Sequence, residues 1–368
     1  MDHLPQSPIP VIHRPDACSR GHRLGSRTPA EVVKSIRRRE AGTFEVEHQV
    51  LEVCCRVCGE TARGEDPTAS QLPGPLDLAG MLTSEPEPYD WVLPGLPRGK
   101  AGFLVAPGGT GKSKLLWQIG VGIATGRDLI WPEAETRDPA RVLFLSAEDD
   151  ARDIHHRLVS IAAAFDLSPT ESADLVANLD ARVVPGWHMA EGLERGALAH
   201  ALLGQLKPGD YRLIVADPLA RLARIDENDQ KEATTLVEVV EELAAEADAA
   251  FVVSHHVSKA AMRGDALDEA HAARGATALT DGFRWQSNLG RMSPTVADGF
   301  GFDDDERRRW VKLAFPKTNY SPPVPHHWLR FQPGGALQAA VPGGGALPTN
   351  VTGASQGGGR RGSAASPF

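Results

Sequence analysis

Short apolar runs recur along the middle of the chain. Gly102-Phe-Leu-Val-Ala106, Arg141-Val-Leu-Phe-Leu-Ser146, Tyr211-Arg-Leu-Ile-Val-Ala-Asp217 and Ala250-Phe-Val-Val-Ser254 are β-prone and read as buried strands. Between them the spacing changes. Leu115, Leu116, Ile119 and Ile123 fall at helical intervals, in a run that ends near Gly126. Residues 151–164 and 194–206 are also helical in pattern, and 232–248 sets Leu236, Val239, Val240, Leu243 and Ala247 on one face. Further strands are expected at 182–185, 278–288 and 310–315. Strand alternating with helix predicts an α/β core with a mainly parallel central sheet flanked by helices.

The two ends of the chain differ from this middle. Residues 1–16 are proline-rich, 28–39 predict a short helix with Thr28 as its N-cap and Pro29 at its first position, and 44–50 alternate like a strand. Residues 63–88 are rich in proline and acids and read as a semi-stiff linker. Residues 333–368 are glycine-rich and read as a disordered tail. The expected divisions are therefore a small module at 1–62, the linker at 63–88, the core at 89–332 and the tail at 333–368.

Composition narrows the class. Hydrophobic residues make up 41% and charged residues 24%, the balance of a globular protein. The net charge of −9 argues against a general affinity for nucleic acid or anionic membrane, although local cationic loops remain compatible with it. No apolar run is long enough for a membrane span and no signal pattern is present, so a cytoplasmic location is expected. All four cysteines lie within the first 58 residues. Cys18-Ser-Arg-Gly-His22 and Cys55-Arg-Val-Cys58 supply a Cys₃His set for a tetrahedral zinc site; incidental cysteines in a flexible leader are the alternative.

Between the first core strand and the first core helix lies Ala106-Pro107-Gly108-Gly109-Thr110-Gly111-Lys112-Ser113, followed by Lys114. Strand, glycine loop and helix together form a Walker A phosphate site. The loop's backbone N–H groups and the helix N-terminus face an anion, Lys112 reaches the β- and γ-phosphates, and the Ser113 hydroxyl ligates Mg²⁺. The motif's first glycine is Ala106 here, which is tolerable if that residue keeps ordinary strand dihedrals. ATP and Mg²⁺ are the expected cofactors.

Other candidates sit where the remaining strands end. Asp217 has the Walker B position and would hold Mg²⁺ through Ser113 or a water; a simple strand-end turn is the alternative. Glu148, after the 141–146 strand, would polarise the attacking water, unless it and its neighbours Asp149 and Asp150 serve as helix caps. His255 and His256 are read at the end of their strand as polar sensors, with metal binding or core packing as alternatives. Residues 258–274 show no strand pattern and are long for a structureless connector.

Several of these stretches, in this order, resemble the RepA family of plasmid replicative helicases. They are Tyr89-Asp-Trp-Val-Leu-Pro94, the Walker A run, Ala147-Glu-Asp149 with Ile154-His-His-Arg-Leu158, and His255-His-Val-Ser-Lys-Ala260. The likeness continues through Arg274-Gly-Ala-Thr-Ala-Leu-Thr-Asp281, Arg284-Trp-Gln-Ser287, Asp303-Asp-Asp305 and Lys317-Thr-Asn-Tyr320, about two-thirds of the chain. The resemblance implies a RecA-like fold and a hexameric ring that moves on single-stranded DNA, with nucleotide sites between subunits. It makes Arg157, Arg274 and Lys317 candidates for contacting phosphates within or across subunits, with ion pairs as the alternative. Lys259 and Arg263 become candidate DNA contacts, with a solvated loop as the alternative. It does not account for the Cys/His leader, which could recruit a primase, an origin-binding partner or DNA. The expected function is an ATP-driven replicative helicase. The rivals are a RecA-like recombination ATPase and a nucleotide-gated, zinc-dependent DNA-binding or adaptor protein.

Overall fold

The computed structural model describes residues 30–39, 45–54, 61–65, 74–130, 137–257, 267 and 277–344; for the first three segments the backbone path alone is described. The chain forms two compact units, residues 1–87 and 88–368.

In the first unit, β1 (Ala30–Arg39), β2 (Glu45–Cys54) and β3 (Thr61–Glu65) form an antiparallel sheet in that order. The helix expected at 28–39 is corrected: its described part is a strand. Val32, Val33 and Ile36 are β-branched, and so short a segment gains little from helical hydrogen bonds alone. Pairing with β2, from Ala30 opposite Val53 to Arg39 opposite Glu45, satisfies the backbone instead. The strand expected at 44–50 is present as β2. Its last residue, Cys54, pairs with Thr61. The candidate zinc ligands Cys18, His22, Cys55 and Cys58 lie outside the described residues. The expected linker contains regular structure: β3 runs to Glu65, and α1 (Leu78–Thr83) follows, with Asp77 Oδ1 accepting from the Gly80 N–H at 3.0 Å as its cap.

The second unit opens with a hairpin, β4 (Trp91–Leu93) and β5 (Leu96–Pro97). Next come β6 (Ala101–Pro107), α2 (Lys112–Thr125), β7 (Val142–Ser146), α3 (Ala151–Phe165), α4 (Pro169–Asn178) and β8 (Leu179–Val183). Two short strands, β9 (Ala190–Glu191) and β10 (Glu194–Arg195), lead to α5 (Ala197–Gln205) and β11 (Leu213–Asp217). Then follow α6 (Leu219–Leu222), β12 (Ala223–Arg224), α7 (Gln230–Glu246) and β13 (Ala250–Val257). The last stretch holds α8 (Thr277–Gly282), β14 (Trp285–Arg291), α9 (Pro294–Phe300), α10 (Asp304–Arg307), β15 (Trp310–Thr318), β16 (His327–Phe331) and β17 (Leu337–Ala339).

Nine of these strands make one sheet, ordered β17-β16-β15-β14-β6-β13-β11-β7-β8. From β14 to β8 neighbouring strands are parallel; β15, β16 and β17 extend the sheet antiparallel from β14. This is the expected α/β core with a mainly parallel central sheet flanked by helices, with β13 interposed between the phosphate-loop strand β6 and the Asp217 strand β11. Both faces are covered. Phe103, Leu143, Ile214 and Phe251 point to one side, against α5, α6 and α7, while Leu104, Phe144, Val215 and Val252 point to the other, toward α2 and α3. Burial on both faces is why the strands read as unbroken apolar runs. On the second face Trp117 of α2 stacks on Phe144, with ring centroids 3.7 Å apart.

Two further expectations change. The strand expected at 278–288 is a helix, α8, followed by a strand, β14. The stretch from 333, expected to be disordered, contains regular structure in its described part: Leu337–Ala339 is the edge strand β17. Gln118 of α2 holds it: the Leu337 N–H donates to Gln118 Oε1 at 2.9 Å, and Gln118 Nε2 donates back to the Leu337 carbonyl. Apolar Leu337 and Ala339 close the core of that face.

Candidate active site

The phosphate loop leaves the C-terminal end of β6. Ala106 is fully buried inside that strand, opposite His256, and is absent from the residues with positive φ, so its Cβ is accommodated as expected. Gly109 and Gly111 do take positive φ, 74° and 102°. The Gly111 position is also closed by packing: a Cβ there would stand 2.9 Å from the Phe331 ring. Thr110 Oγ1 donates to the Pro107 carbonyl at 2.7 Å and tightens the turn. The loop then runs into the first turn of α2, where Lys112 and Ser113 are brought under the sheet's C-terminal edge.

Lys112 is buried. Its ammonium donates to Asp217 Oδ1 and, at 2.6 Å, to Ser254 Oγ, while the Ser254 hydroxyl donates to the same Asp217 oxygen. β13 lies between β6 and β11, which places Ser254 midway between the two. Burial, the largest single influence, pushes the Asp217 carboxyl up, but the Lys112 charge and the hydrogen bonds from Lys112, Ser254 and Ser113 together outweigh it and hold the group below the usual carboxylate range. Loop lysine, helix serine and strand-end aspartate thus converge at one place. Ser254 was missed; its signal is a single hydroxyl in an apolar strand, immediately before the histidine pair.

The three consecutive carboxylates after β7 divide their work. Asp150 caps α3, accepting from the N–H groups of Arg152 and Asp153 at 2.8 and 2.9 Å. Asp149 grips Arg157 through two contacts of 2.8 Å. Glu148 turns instead toward the site, half exposed, with Arg221 Nε at 3.5 Å and His256 Nε2 at 3.9 Å.

The histidine pair lies in the last three residues of its strand, which continues in register with β6 to Val257 opposite Pro107. Alternation therefore separates the two rings. His255 is buried and stacks on Phe103 at 5.4 Å, with Nε2 3.5 Å from Glu227 Oε2. Burial, then the neighbouring His256 and Lys112 charges, push its pKa down to about 4. His256 is exposed toward Glu148. Burial and Lys112 lower its pKa, while Glu148 and Asp217 pull the other way, as expected for a ring facing all three.

The basic candidates are placed differently. Arg157 is held by Asp149. Lys317, near the end of β15, donates to the Thr280 and Asp281 carbonyls at 3.0 and 2.8 Å, at the C-terminus of α8. Burial lowers its pKa; Asp281 raises it and Arg284 lowers it further. Lys114 donates to Ser160 Oγ at 2.7 Å and to the Gly334 carbonyl at 3.3 Å. Arg274, Lys259 and Arg263 lie outside the described residues. Among the described residues no cluster of His, Cys, Asp and Glu could hold a metal by itself, and no helix is long and apolar enough to cross a membrane.

Residues 66–262, from before β4 to just past β13, match the model of the AAA_25 family, described as an AAA domain. The chain belongs to the AAA_25 family. The site of this AAA_25 protein is that of a P-loop ATPase, and the matched span contains the phosphate loop, Glu148, Asp217, Ser254 and both histidines. Among solved structures, the AAA_25 chain is similar to the RadB recombinase, at 12% identity over 67% of this chain and 93% of that one, with a TM-score of 0.43. It is also similar to a DnaB-like replicative helicase, whose structure addresses its interactions with primase. There the identity is 14% over 66% of this chain and 57% of the other, with a TM-score of 0.47. These likenesses carry no statement about activity.

Proposed function

We propose that this AAA_25 protein is a ring-forming replicative DNA helicase of the RepA type, which couples ATP hydrolysis between subunits to movement on single-stranded DNA. The observation that carries the ATPase part of this reading is the convergence of Lys112, Ser113, Asp217, Ser254, Glu148 and His256 at the C-terminal ends of adjacent parallel strands. The RepA-like order of motifs supports the helicase part.

The residues fit a nucleotide and its metal. A Cβ added to Gly108 or Gly109 would meet nothing within 4 Å, so the front of the loop is open to phosphates. Ser113 and Asp217 form an oxygen donor pair suited to Mg²⁺, a hard cation that keeps most of its waters. When bound, Mg²⁺ would offset charge on the β- and γ-phosphate oxygens.

In this mechanism Lys112 transfers its ammonium from Asp217 to the phosphates. Glu148 orients a water for in-line attack on the γ-phosphorus; the new P–O bond forms as the bond to the β–γ bridging oxygen breaks. The water's proton passes to Glu148, within reach of His256, which reports the γ-phosphate to β13. Arg274 is the proposed cation supplied across the interface; Arg157 and Lys317 have partners in their own chain. Lys259 and Arg263 are the proposed DNA contacts, sequence-tolerant and salt-sensitive. The Cys/His leader is the proposed zinc module and the point of contact with a primase or origin-binding partner. Catalytic unwinding of a forked DNA duplex with ATP tests the reading; stoichiometric coating of DNA with strand pairing would indicate a recombination ATPase instead.

A further inference from the structure

The sheet's extension beyond β6, through β14 to β17, reaches back onto the phosphate loop. β14 lies directly beside β6, with Asn288 opposite Val105, and its last residue is Arg291. The Arg291 guanidinium makes two hydrogen bonds, from Nη2 to the Gly109 carbonyl at 2.5 Å and from Nη1 to the Arg308 carbonyl at 3.3 Å. It thereby ties the tip of the loop to the end of α10. Among the described residues no carboxylate lies within ion-pair distance of it.

Gly109 is where such a tie matters. It has positive φ and nothing within 4 Å of an added Cβ, so sterics leave the Gly109–Thr110 peptide room to rotate, and apart from Arg291 the bond from the Thr110 N–H to the Pro107 carbonyl, at 3.3 Å, opposes it. A rotated peptide would turn a carbonyl oxygen toward the phosphates, an acceptor facing an anion. With that oxygen bonded to Arg291, the carbonyl stays outside the cradle. The same extension braces the loop two residues on, where the Phe331 ring covers Gly111.

We propose that Arg291 is a positioning residue of the ATP site, which clamps the phosphate loop in its anion-binding conformation from outside. This rests on the phosphate-loop reading above. The clamp acts on binding and not on the reacting atoms, so its loss raises KM and Kd for ATP and spares kcat.

The test is titration of the full chain with a fluorescent ATP analogue, together with steady-state ATPase kinetics, on Arg291→Ala, Arg291→Lys, Arg308→Ala and Lys112→Met. Loss of a charge-assisted hydrogen bond predicts that Arg291→Ala raises Kd and KM about tenfold with kcat within about twofold. Arg291→Lys, with one donor nitrogen in place of the two of the guanidinium fork, loses about threefold. Arg308→Ala changes nothing, because only the Arg308 backbone carbonyl takes part. Wild-type Kd in Arg291→Ala overturns the proposal, as does a fall in kcat at constant KM. An equal loss in Arg308→Ala also overturns it, because general positive charge would then be the cause. Should Arg291→Ala fail to fold, Arg291→Lys decides: a Kd equal to that of Arg308→Ala overturns the clamp. Lys112→Met separates the two levels. If it binds the analogue like wild type, the phosphate-loop reading has failed, and not merely the clamp.

Discussion

Lys112 and Asp217 form a buried ion pair across the phosphate site, 3% and 4% exposed, with Ser254 bonded to both. In the proposed mechanism each takes another task once nucleotide is present, Lys112 on phosphate and Asp217 beside Ser113. An incoming anion must therefore compete with a carboxylate for the lysine, and a divalent cation arriving with it replaces the charge that Asp217 loses.

The pair makes Lys112 structural as well as functional. Breaking a buried pair by removing one partner leaves an uncompensated charge and costs about 3–5 kcal/mol. Lys112→Met is expected to lower unfolding stability by about that amount, and adding Asp217→Asn to restore most of it. Urea denaturation of the two variants checks this. Wild-type stability in Lys112→Met would mean that the pair carries little weight in the fold.

Glu148 is held between Arg221 and His256 and is free of the capping role that Asp150 performs. Glu148→Gln is expected to bind ATP with wild-type affinity and to hydrolyse it at least about a hundredfold more slowly. Single-turnover hydrolysis measures the step directly. Undiminished turnover would pass the role to another carboxylate.

His255 and His327 are both buried, and burial first, with a neighbouring histidine second, pushes each pKa from 6.5 to about 4. Folding holds both neutral. Their contribution to stability is complete above about pH 6.5 and is lost as pH falls toward 4, because in that window the unfolded chain takes up protons that the folded chain refuses. The loss at pH 4 approaches about 3 kcal/mol per histidine. Denaturation midpoints between pH 7 and 4 should fall steadily, and more shallowly in His327→Gln.

What could be read from the chain follows from which interactions are local. Buried parallel strands announce themselves as apolar runs, so β6, β7, β11 and β13 were legible, and with them Lys112, Ser113 and Asp217 at their ends. Glycine spacing fixed the loop. The β14–β17 side of the sheet was less legible because its contacts are with distant partners: Gln118 holds β17 and Arg291 of β14 holds the phosphate loop, neither marked by any motif. α8 is six residues long, too short for a helical period to show beside the strand that follows. The end of the histidine strand was read at Ser254 and lies at Val257, because strand ends depend on register with β6, which no single segment encodes.

The Cys/His leader has its own test. Metal analysis of the purified full chain should give about one zinc per chain, lost in Cys55→Ser/Cys58→Ser. Zinc-free protein of normal stability would remove the Cys₃His site from the account.

The most direct test of the central claim is ATP hydrolysis with and without single-stranded DNA, over a range of protein concentrations, in wild type and in Arg274→Ala. A motor with shared sites predicts DNA-stimulated turnover that rises cooperatively with concentration and collapses in the variant. Turnover indifferent to DNA and to concentration would contradict it, and would bring forward the nucleotide-gated adaptor reading.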